Sequence, residues 1–83
     1  MINMTYKTSV KLLSVIDKMF ESDDRVKLVG GLTMATMDRL SIKLKEFTDN
    51  ISMLDAEENG DTIQFEDSYG VHINRLLSVS GSW

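Results

Sequence analysis

Eighty-three residues, with nine Lys and Arg against thirteen Asp and Glu, make one small acidic domain of net charge −4. The chain has no Cys and one His, His72, which excludes disulfide stapling, thiolate zinc sites and multi-histidine metal centres. A chain this short buries only a little over ~60% of the surface its unfolded form exposes, so a homo-oligomer or a protein partner is expected to add stability.

Residues 5–21, TYKTSVKLLSVIDKMFE, have helical periodicity. Tyr6, Val10, Leu13, Ile16 and Phe20 fall on one side, and Leu12, Val15 and Met19 widen the apolar arc to more than half the circumference. A surface helix needs a stripe only about 100° wide, so contacts on two sides are expected. One side is assigned to the domain's own core, and the flank of Leu12, Val15 and Met19 to a partner. The longest near-apolar run, VKLLSVIDKMF, is broken by Lys11 and Asp17 and is too short to span a bilayer. Without a signal-peptide pattern, the expectation is a cytoplasmic protein with no membrane partner.

VKLVGG follows, where residues 26–29 suit either a short strand or a connector ended by Gly30 and Gly31. VGGLT lacks the further glycine, lysine and spacing of a phosphate-binding loop. From Thr33, a fitting N-cap, a helix is predicted over 33–54. Met37, Leu40, Leu44, Phe47, Ile51 and Leu54 form a heptad seam along it, suited to clasping the first helix or a second chain.

The next stretch, DAEENGDTIQFE, resembles the twelve-residue EF-hand calcium loop. Asp55, Glu57, Asn59, Asp61 and Glu66 would supply the oxygens, and Gly60 occupies the sharp-turn position. Three features depart from that pattern. Glu57 is one methylene too long, Thr62 stands where an apolar residue packs, and DSYGVHI does not read as an exit helix. A simpler reading takes 55–58 as a solvated helix end, Asn59-Gly60 as a turn and TIQFE as a strand. No cofactor and no metal are expected, with calcium kept as the alternative.

Ile63 and Phe65 alternate with polar neighbours over 62–66, and Val71, Ile73, Leu77 and Val79 over 71–79, which predicts a β-hairpin. Ile73, Leu76 and Leu77 also permit a short helix. The tail SGSW is polar apart from Trp83. The predicted fold is α+β: a two-helix hairpin packed on a C-terminal β-hairpin.

Charge is uneven along the chain. Eight carboxylates and no Lys or Arg lie between Glu46 and Asp67. Such a band repels nucleic acid and speeds encounter with a cationic surface. Direct nucleic-acid binding is not expected, since the lysines of the first helix lack interleaved aromatics and the net charge has the wrong sign. Nor is catalysis, because nothing in the sequence assigns a partner to His72. The expectation is a small non-enzymatic regulator or inhibitor. It would dock on a basic partner through Leu12, Val15 and Met19 with Glu57, Glu58, Asp61, Glu66 and Asp67. A structural homo-oligomerisation module is the other alternative. Small acidic accessory proteins, phage-encoded ones among them, share this general character.

Overall fold

Ile2 and Met4 alternate with Asn3 and Thr5, and this period-two stretch forms strand β1 (Ile2–Thr5). Its partner is β2 (Thr62–Phe65), paired antiparallel with Ile2 opposite Phe65 and Thr5 opposite Thr62. Met4, Ile63 and Phe65 are buried with Ile2 packed beside them, while Asn3, Thr5, Thr62 and Gln64 face solvent. The computed structural model describes residues 1–21 and 34–79. The strand considered for 26–29, the Gly30–Gly31 turn, the Thr33 cap and the tail with Trp83 lie outside them.

Thr5 ends β1, and its hydroxyl accepts the Thr8 N–H at 3.3 Å, the N-cap arrangement for α1 (Tyr6–Glu21). The apolar arc is centred differently from expectation. Ser9, Leu12, Val15, Ile16 and Met19 are buried, Val10 is exposed, and Tyr6, Leu13 and Phe20 are half-buried. Leu12, Val15 and Met19, assigned above to a partner, are therefore the middle of this chain's own core, none more than 3% exposed. Two-sided contact is real, but both sides are met from within. The remaining helices flank α1, and the sheet covers its first turns.

Along α2 (Met34–Asn50), Met37, Leu40 and Leu44 are buried and Phe47 is half-buried. The Tyr6 hydroxyl donates to the Thr48 carbonyl at 3.1 Å, and the Tyr6 and Phe47 rings lie 5.8 Å apart. These contacts place the start of α1 beside the end of α2, as in an antiparallel pair. The heptad seam thus closes on α1 inside one chain. Its last position is a correction, because the helix stops at Asn50 rather than running to Leu54. Ser52 is extended (φ −75°, ψ 157°), and its hydroxyl accepts the Asp55 N–H at 3.2 Å, starting α3 (Met53–Asn59). Leu54 falls on the new helix and is 67% exposed.

Gly60 ends α3 in the left-handed region (φ 69°), with its N–H and that of Asp61 both donating to the Ala56 carbonyl. A Cβ at Gly60 would meet nothing within 4 Å, so substitution there tests backbone strain alone. Gly60→Ala is expected to lower stability by about 1–2 kcal/mol, with Gly60→Asn costing less, in urea denaturation.

After a single 3₁₀ turn at Asp67–Tyr69, residues Gly70–Val79 form α4. The expected second hairpin strand over 71–79 is therefore a helix, and β2 pairs with β1 instead. The reason lies in Arg75. A strand would line up Val71, Ile73, Arg75 and Leu77 on one face and drive a guanidinium into the core. A helix instead buries Ile73 and Leu76 and leaves Val71 and Arg75 outside. The α+β class stands, with four helices and one two-stranded antiparallel sheet among the described residues. The outer edge of β2 is closed by α2, whose Lys43 ammonium donates to the Gln64 carbonyl and lies 4.9 Å from the Phe65 ring centroid.

Candidate interaction surface

Between α2 and β2 the chain makes a short detour, and α3 is that detour. Seven residues give it less than two turns, too little to be stable alone, and of these only Ala56 is buried. Its other side chains have little to cover them. Met53 is 43% and Leu54 67% exposed, while Asp55, Glu57 and Glu58 stand in solvent beside them. Asp55 in the first turn suits the positive end of the helix dipole, so the start of α3 is locally consistent.

Where Ala56 docks, a cleft of about 400 Å³ opens between α3 and the β1–α1 junction, lined by Thr5, Tyr6, Lys7, Glu57 and Asp61. Lys43, Glu46, Phe47, Ile51 and Asp61 line a second, more open cleft. Asp55, Glu57, Glu58 and Asp61 thus occupy the end of the molecule built from α3 and its cap. Glu66 and Asp67 do not join them. The extended strand β2 carries the chain about 17 Å between Asp61 and Glu66 at some 3.3 Å per residue. Asp67 there pairs with the Met1 ammonium at 3.1 Å, on the surface. The expected acidic band is therefore two groups at opposite ends of β2.

The backbone over Met53–Asn59 is wound as a helix, unlike the calcium loop considered above. Asp55, Glu57 and Asn59 belong to α3, where successive residues turn through 100°, so Asp55 and Glu57 point to nearly opposite sides. A calcium loop needs those positions converging on one point. Among the described residues no group of three or more His, Asp or Glu could hold a metal ion. His72, read above as the polar side of a strand, is half-buried on α4, and its shielded Nδ1 has no hydrogen-bond partner.

Sequence reasoning missed Met53 and Leu54, because Leu54 continued the heptad spacing. A competing signal was present: Ser52 three places before Asp55, ahead of an apolar pair, is a helix-start pattern and marks a break at residue 52.

No protein-family model matches the chain, and neither does any curated protein or solved structure. No described helix is long and apolar enough to cross a membrane.

Proposed function

We propose that this chain is a small non-enzymatic interaction protein of the cytosol, a regulator or inhibitor that docks through α3 on a partner with a basic surface. The observation that carries this reading is the exposure of Met53 and Leu54 on a short helix that also holds Asp55, Glu57 and Glu58 in solvent. Exposed apolar side chains scattered singly are ordinary, but two adjacent ones followed by three exposed carboxylates have the layout of an apolar anchor beside a charged rim. Eight carboxylates between Glu46 and Asp67, uninterrupted by Lys or Arg, favour a cationic counterpart. Leu54 with Met53 is the anchor; Glu57, Glu58 and Asp61 steer the encounter. Glu66 and Asp67, at the other end of β2, contribute only to the general field.

The test is capture from lysate, compared between the parent chain and variants. Met53→Ala with Leu54→Ala is expected to keep the parent melting temperature and lose about 30-fold in affinity for the captured protein, the effect of removing an interface anchor. Glu57→Gln, Glu58→Gln and Asp61→Asn together are expected to slow association and flatten its salt dependence. Capture that is unchanged in both variants would refute docking through α3.

A further inference from the structure

The two edges of the sheet are treated differently by the fold. Lys43 of α2 closes the outer edge of β2 at Gln64. Among the described residues no third strand joins the sheet, so the outer edge of β1 has no strand partner. We infer that this edge pairs with the same edge of a second copy of the chain, joining two two-stranded sheets into one of four strands. The inference is independent of the docking role proposed for α3.

Backbone direction is the first argument. Asn3 stands opposite Gln64, and the Gln64 carbonyl is turned outward to Lys43. That makes the pair the non-hydrogen-bonded kind of an antiparallel ladder, in which the N–H and C=O of both residues face away from the partner strand. Asn3 therefore presents one donor and one acceptor on the free edge. An antiparallel strand centred on another Asn3 answers both, because the two residues exchange N–H···O bonds across a two-fold axis. The same register sets Ile2 opposite Met4 of the second copy, and Met1 opposite Thr5.

The side chains agree with that register. Ile2 and Met4 face the core while Asn3 and Thr5 face solvent, so pairing continues the apolar inner face from one copy to the next and keeps the polar face outside. Residues 1–5, MINMT, contain no charged side chain and no Pro, the usual devices that keep an edge from pairing. The one charge at this edge, the Met1 ammonium, is paired with Asp67, so two chains of net charge −4 bring no unpaired like charges together here. Two exposed apolar side chains lie close to β1. One is Met1, at the start of the edge; the other is Val71, which follows Gly70 at the Ile2 side chain on the inner face. One short strand with two such side chains covers less than the roughly 1,200 Å² of a standard stable interface, so the dimer is concentration-dependent.

Sedimentation equilibrium on the full chain, from about 10 µM to about 1 mM, reads this directly. The mass is expected to rise from the 9.4 kDa of one chain towards twice that value. Hydrogen exchange of the Asn3 amide is expected to slow about tenfold over the same range. Asn3→Pro removes the outward N–H without taking a bond from the β1–β2 ladder, and Asn3→Lys sets like charges opposite each other at the axis. Both are expected to remain monomeric with the parent circular dichroism; if the proline variant fails to fold, the lysine variant decides. A parent chain that stays at one mass throughout overturns the inference, as does a dimer that persists in Asn3→Lys. An Asn3 amide that gains protection only when a foreign protein is added would assign the edge to that protein instead.

Discussion

Met19→Glu is expected to unfold the chain. Met19 is fully buried on α1 with Leu12 and Ile16, all at 0% exposure, so a carboxylate there is cut off from water. Burying an unpaired charge costs several kcal/mol, and a domain of this length has only about 4–12 kcal/mol of stability in total. The far-UV circular dichroism of the variant should show loss of helix at room temperature, and a thermal scan should show no cooperative transition. Had the Leu12–Val15–Met19 flank been a docking surface, the same substitution would leave the fold intact and remove only association. A folded, cooperatively melting Met19→Glu protein would refute the placement of this flank at the centre of the core.

Leu44→Ala and Leu54→Ala are expected to differ by at least several-fold in cost, although both leucines lie on the same heptad pattern. Leu44 is fully buried, and its truncation removes apolar contact and leaves a cavity between α1 and α2, about 2–5 kcal/mol in all. In a domain of this size that is a sizeable share of the total, enough to bring the denaturation midpoint down by about a sixth or more. Leu54 stands in solvent on α3, so its truncation should change stability by less than about 0.5 kcal/mol. Urea titrations of the two variants, followed by circular dichroism with the slope checked for constancy, measure the contrast. Equal costs would mean that the seam runs on past residue 50 as one helix, against the Ser52 cap.

Several elements were legible because their signals are local. The periodicity of residues 5–21 and of the Met37–Leu44 seam predicts the two long helices, and the alternation of Ile63 and Phe65 predicts β2. Asn59-Gly60 predicts the reversal between α3 and β2, and the positive φ sits on the glycine alone. The α+β class follows from these together. The acidic side chains of α3 were also visible in sequence as a run without Lys or Arg, and the structure leaves them exposed.

What the sequence by itself determined was the identity of the regular elements and the sign of the surface charge, since each depends on residues within a turn or two of one another. Tertiary structure alone decided which apolar side chains were left over. Leu12, Val15 and Met19 look surplus until α2, α4 and the sheet close round them, and Leu54 looks like core until Ser52 redirects the chain. It also decided the partner of β2. Residues 71–79 can alternate as a strand or wind as a helix, and the choice turns on where Arg75 ends up once Ile73 and Leu76 are buried. With that segment helical, β2 takes as its neighbour Ile2–Thr5, a pairing between distant segments that no local period encodes. Periodicity says which face of a segment is apolar, but the covering of that face is settled only by the elements that arrive from elsewhere in the chain.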